Sequence, residues 1–197
     1  MLSNSPVEEK LDPRVKRTRA LIEQAFKEVL AEKGFQAGSV QDIAEKAGVN
    51  RTTFYLHFSD KYALLEYSIN QSFYKELEKR TSNLNQFSLE NLNSLISTVA
   101  EYILFANSHC TPPDPQFEVM VEKQVKKQVQ DILQGWGESN EQNTDIQTAA
   151  IASSWAIYGL ALEWSHDKKR SSAETFTDSI SPLILSILGL AQPISMV

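Results

Sequence analysis

Residues 39–61 read Ser39-Val-Gln-Asp-Ile-Ala-Glu-Lys-Ala-Gly48-Val-Asn50-Arg-Thr-Thr-Phe-Tyr-Leu-His-Phe58-Ser-Asp-Lys61. Ser39 with Asp42 three residues on resembles a capping box, with Asp in place of the usual Glu, and opens a short helix. Ile43 and Ala44 face inward, and the small Ala47 lets a second helix cross closely. Gly48 ends the first helix, because a left-handed residue costs glycine little. Val49 packs back into the angle, and Asn50 caps a second short helix, from Arg51 to about Phe58. Phe54 and Phe58 anchor that helix. Asn50, Arg51, Thr52, Thr53, Tyr55 and His57 form its polar outer face. Two short helices joined by a glycine turn and packed on a longer first helix make a helix-turn-helix. A major groove is about 12 Å wide and admits one helix of this kind.

Outward from this core the pattern stays helical. Asp12-Pro13 starts a helix whose apolar stripe is Val15, Ile22, Ala25, Phe26, Val29 and Leu30, ended by Gly34. Ser59-Asp60 caps a long helix to about Arg80 with Leu65, Ile69, Phe73 and Leu77 along it. A polar connection follows from Thr81. Ser88 then caps a helix carrying Leu89, Leu92, Leu95, Ile96, Val99 and Ile103. Thr111-Pro-Pro-Asp-Pro115 breaks the chain. The next helix covers about 116–136, with Gly135 and Gly137 closing it. Residues 144–165 are nearly apolar all round, and a last helix covers about 172–190, kinked at Pro182.

The whole chain has 197 residues, 42% of them hydrophobic and 22% charged, which fits a folded protein with a sizeable core. A single cysteine, Cys110, excludes a disulfide framework and a Cys-rich zinc site. There is no secretory leader pattern and no apolar run of membrane-spanning length, so a cytoplasmic location is expected. Charge is uneven. Residues 1–80 hold 13 Lys+Arg against 12 Asp+Glu, and residues 81–197 hold 6 against 13. Residues 10–20 carry Lys10, Arg14, Lys16, Arg17 and Arg19 against Asp12 alone. A polyanion would be met by the first part of the chain only. His57, His109 and His166 are far apart, and His109-Cys110 has no partner at metal-ligand spacing. No Gly-rich phosphate loop, HExxH or GxSxG is present, so neither enzyme activity nor a cofactor is expected.

The residues Ile43-Ala44, Ala47-Gly48-Val49, Thr53, Tyr55, Phe58, Lys61 and Leu64-Leu65 together resemble the DNA-binding domain of TetR-family transcriptional regulators. The resemblance covers roughly residues 12–67. Gly38-Ser39 departs from the two threonines the family often carries, but serine still caps. The resemblance implies an all-α protein of about nine helices. Residues 1–67 would be an arm and a three-helix DNA-binding domain, with the connecting helix continuing to about 80. Residues 68–197 would be a ligand-binding and dimerisation domain. It also implies roles for individual residues. Ser39 would touch phosphate through its hydroxyl and backbone N–H. Arg51, Thr52 and Thr53, behind the Asn50 cap, occupy the base-reading part, and Arg51 suits guanine O6/N7. Tyr55 and His57 match positions that contact phosphate or a thymine methyl. Lys61 matches a phosphate-clamping lysine, and Arg14 and Arg17 would reach flanking phosphates.

For the second domain the resemblance implies a homodimer through the last two helices. Two recognition helices would then lie about 34–36 Å apart, matching a palindromic operator on double-stranded DNA. The helix around Trp155 is apolar on too many sides for one core, so part of it is expected to meet a partner subunit, a ligand or both. A small-molecule effector would be lined by Tyr102, Phe105, Phe117, Met120, Trp155 and Tyr158, an aromatic and Met lining suited to an apolar ligand. The expected activity is repression relieved by that effector. A second possibility keeps the fold but docks a protein partner, on the charged helix face of residues 118–131.

Overall fold

The structure, a computed structural model, describes residues 12–81, 86–109, 115–138 and 146–190. The N-terminal arm, Cys110, most of the Pro-rich break and the residues from 191 onward lie outside that set. All secondary structure among the described residues is helical, in eight helices. The described residues divide into two compact units. Unit 1 comprises those of Met1–Ser72 and Asn107–Val121, and unit 2 those of Phe73–Ala106 and Glu122–Val197.

Unit 1 is built on α1 (Pro13–Ala37), α2 (Val40–Lys46), α3 (Arg51–His57) and the first part of α4 (Lys61–Glu78). Asp12 Oδ1 accepts from Arg14 N at 2.7 Å and Pro13 takes the first turn, so α1 starts where capping chemistry places it. Gly34, at φ 74°, interrupts α1 and lets Phe35 turn inward. Ile22, Ala25, Phe26, Val29 and Phe35 of α1 meet Ile43 and Ala44 of α2, Phe54 of α3, and Leu64, Leu65 and Ile69 of α4 in one buried core. Phe26 and Phe35 meet edge to face at 6.3 Å, a favoured aromatic geometry.

Unit 2 holds most of α5 (Leu89–His109) and α6 (Pro115–Glu138), with α7 (Ile146–His166) and α8 (Ala173–Ile187). Its core contains Phe73, Leu77, Leu92, Ile96, Val99, Val125, Val129, Ile132, Trp136, Ile157, Ala161 and Ile184. Leu89, read as part of the α5 stripe, is instead exposed. The α7 and α8 helices pack on each other, with Trp164 stacked against Phe176 at 5.4 Å and its indole N–H donating to Ser171 O at 3.1 Å.

Two glycines differ from the sequence expectation. The helix α6 runs through Gly135 and Gly137 to Glu138. A Cβ at position 137 would overlap the Ile146 side chain, so this glycine serves close packing rather than termination. Pro182 lies inside α8 on its exposed side, near the exposed Asp178, so the carbonyl that loses its donor is within reach of water. None of the described helices is long and apolar enough to cross a membrane.

Candidate nucleic-acid interface

The capping box at Ser39 is complete. Ser39 Oγ accepts from Asp42 N at 3.1 Å, and Asp42 Oδ2 accepts from Ser39 N at 2.9 Å and from Ser39 Oγ at 2.5 Å. Lys33 of α1 closes the arrangement on Asp42 Oδ1 at 2.5 Å. The Lys33 bond first, then those from Ser39, hold the Asp42 carboxyl far below its ordinary range. A carboxyl lowered in this way stabilises the fold at pH values above its unfolded pKa of about 4 and loses that contribution as pH falls. The melting temperature of the wild type is therefore expected to drop as pH falls below about 4, and Asp42→Asn to flatten that part of the profile. Thermal unfolding followed from pH 3 to 7 checks this, and an unchanged acid limb in the variant would contradict it.

The turn between α2 and α3 is set by Gly48 at φ 68°. No atom lies within 4 Å of where its Cβ would be, so the left-handed backbone alone demands glycine here. Val49 N donates to Ala44 O at 2.9 Å, which closes the α2 terminus. Asn50 Oδ1 then accepts from Thr53 N at 2.7 Å and starts α3. Phe54 is fully buried and Phe58 nearly so, with their rings 6.0 Å apart. These two fix the rotation of α3. Arg51, Thr52 and Tyr55 face outward, while Thr53 and His57 are half-buried at its sides. The Arg51 guanidinium lies back on Tyr55, Nη2 donating to the phenol oxygen at 3.2 Å.

Three features here were not read from the sequence. Leu56 shares the outward side of α3 and is highly exposed. Arg19 of α1 places its guanidinium 5.6 Å from the ring centres of both Phe58 and Tyr67. Burial and, secondarily, that guanidinium lower the pKa of His57, which favours its neutral imidazole. The third is the use made of Lys61. Its Nζ donates to Phe35 O at 2.9 Å, Gln36 O at 3.2 Å and Gly38 O at 3.2 Å, and sits 4.7 Å from the Phe35 ring centre. All three ammonium protons are engaged on the end of α1, and a phosphate would have to displace one of these carbonyls. Arg14 and Arg17 are exposed on the first turns of α1.

The six residues read as an effector lining are divided between the two units. Tyr102, Phe105, Trp155 and Tyr158 belong to unit 2, whereas Phe117 and Met120 belong to unit 1. Phe117 lies 6.5 Å from Phe35, and Gln116 Oε1 beside it accepts from Gln36 Nε2 at 3.0 Å and from Tyr62 OH at 2.9 Å. The start of α6 is thus part of the helix-turn-helix unit. Tyr158 is buried and Tyr102 packs edge-on to Phe73 at 5.6 Å, while Phe105 and Trp155 are 58% and 60% exposed. Lys126 lies over the Trp155 ring, 3.0 Å from its centre, and pairs with Glu122 at 2.6 Å. A small cavity of about 20 Å³ in unit 2, room for one water, is lined by Phe87, Leu133, Trp136 and Ile146 among others, and by none of the six.

A glycine turn, a capped short helix fixed by two buried phenylalanines and an outward row holding an arginine form a helix-turn-helix, a motif whose second helix can lie in a major groove. Residues 21–67 match the model of the bacterial regulatory proteins of the tetR family. Through this segment the chain is similar to the DNA-binding part of TetR-family transcriptional regulators. The HTH-type transcriptional regulator YxbF of Bacillus subtilis is 41% identical over 86 residues, 42% of this chain and 23% of that protein. YvdT of the same organism is 52% identical over 42 residues, 21% of this chain and 22% of that protein. The chain spans less than a quarter of the length of these curated relatives. Among solved structures, a TetR-family regulator from Streptomyces coelicolor superposes with a TM-score of 0.63 at 20% identity, over 90% of this chain and 98% of that one. The transcriptional regulator FadR from Bacillus subtilis, solved in complex with stearoyl-CoA, gives 0.53 at 20% identity over 85% and 97%. These likenesses are of fold.

Proposed function

We propose that the chain is a homodimeric repressor that leaves a palindromic operator when a small molecule binds its C-terminal part. The observation that carries the DNA-binding half is the outward row Arg51, Thr52 and Tyr55, held rigid by buried Phe54 and Phe58. Arg51 reads a base edge after leaving Tyr55. Ser39, Asn50, Thr53 and His57 contact the flanking backbone, and Arg14 and Arg17 meet outer phosphates. Lys61 adds a phosphate contact if it yields one of its carbonyls. The residues proposed to touch DNA all precede residue 68, the start of the proposed effector and dimer part.

Dimer formation is supported by the apolar residues α7 and α8 leave in water. Ile151, Trp155, Leu160 and Leu183 are all exposed, and a second copy would cover them. Release by an apolar effector is supported by the aromatic content of unit 2 around Tyr102 and Tyr158. FadR, a structure of similar fold, was solved in complex with stearoyl-CoA.

The test uses the full chain on duplexes enriched from a random library. A palindromic consensus, a dimer by sedimentation, and weakened binding on titration with stearoyl-CoA or other apolar probes are the expected results. Arg51→Ala is expected to cost about 1–3 kcal/mol at one base position per half-site and to relax selectivity there. Enrichment of a non-palindromic site by a monomer would overturn the dimeric reading.

A further inference from the structure

Leu56 is 79% exposed, the highest value of any large apolar residue among the described residues. It stands one helical turn beyond Thr52 and beside Tyr55, on the same outward side of α3. Its neighbours Phe54 and Phe58 take the interior, so Leu56 has no share in the core. The helix carries no carboxylate and has Arg51 at its start, a charge pattern suited to a polyanion.

The edges of a major groove are hydrogen-bond donors and acceptors, with one exception, the C5-methyl of thymine. A leucine side chain can answer none of the polar groups and would strip water from them without return. Against a methyl it buries apolar surface on both partners. Resting on the reading that α3 enters the major groove, we propose that Leu56 is a specificity-determining residue. It selects thymine by packing on the C5-methyl, at one position in each half-site. Arg51 and Leu56, at opposite ends of α3, then read different positions by different chemistry, one by hydrogen bonds and one by apolar contact.

The test uses deoxyuridine, which differs from thymidine only in lacking the C5-methyl. The duplex enriched by the full-length wild type is remade with deoxyuridine at one thymine per half-site in turn. At one position the wild-type affinity is expected to fall about fourfold per half-site, or about fifteenfold for a symmetric pair. Leu56→Ala is expected to bind the thymine and uracil duplexes within about twofold of each other. Because the side chain lies in water, the variant should keep the wild-type unfolding midpoint, which is measured alongside. Tolerance of uracil at every position by the wild type, or an undiminished thymine preference in Leu56→Ala, overturns this assignment while DNA binding stands. Failure of the wild type to enrich any duplex overturns the DNA-binding reading and this assignment together.

Discussion

Phe54→Ala is expected to destabilise the N-terminal unit by about 3–5 kcal/mol, the range for removing a fully buried phenylalanine. The ring is completely enclosed, 6.0 Å from Phe58 and edge-on to Tyr55 at 5.5 Å. Its loss frees α3 to rotate, because a seven-residue helix has little intrinsic stability and depends on its packed side. Total domain stability is about 5–15 kcal/mol, so the expected loss is a large fraction of it. All three tryptophans, Trp136, Trp155 and Trp164, lie in unit 2. Denaturation of the variant should therefore show helix loss by circular dichroism at a lower denaturant concentration than the tryptophan change. Coincident transitions at the wild-type midpoint would show that α3 is not held by this ring.

Lys61→Met is expected to cost about 2–3 kcal/mol in the absence of DNA, since a charged donor serving several acceptors is among the stronger hydrogen-bond arrangements. The methionine keeps most of the aliphatic length against Phe35 but leaves the carbonyls of Phe35, Gln36 and Gly38 without their shared donor. Gly38 directly precedes the Ser39 cap, so loosening this corner also loosens the start of α2. A lysine whose only task were to meet phosphate would show no such loss in the free protein. It would lower the salt dependence of DNA binding by about one ion and leave the melting point alone. Melting temperatures measured beside salt-dependent binding separate the two contributions.

What the sequence made legible is local. The caps at Asp12, Ser39 and Asn50, the turn at Gly48 and the inward pair Phe54 and Phe58 act within a few residues of themselves, and each stands in the structure as its residue type dictates. The contacts that escaped join distant parts of the chain. Lys61 meets carbonyls 23 to 26 residues earlier, and Gln116 meets Gln36 across 80 residues. No periodicity announces either. Phe117, read as effector lining, has its ring 6.5 Å from that of Phe35, a neighbour that an aromatic in the second half of a chain does not announce. Gly137 looked like a stop because glycine's two uses, a left-handed turn and a close approach, are identical on paper. Leu56 was passed over because an exposed leucine is ordinary until the rotation of its helix is known.

Unit 1 is assembled from two separated stretches of the chain, with Gln116 and Phe117 at the start of α6 seated against the end of α1 and the start of α4. Grafting the first 72 residues onto another protein would therefore leave Gln36, Tyr62 and Phe35 facing foreign atoms where Gln116 and Phe117 had been. Recombination between relatives that exchanged this head for another would have to bring a matching first turn of α6 with it, or start with a mismatched seam.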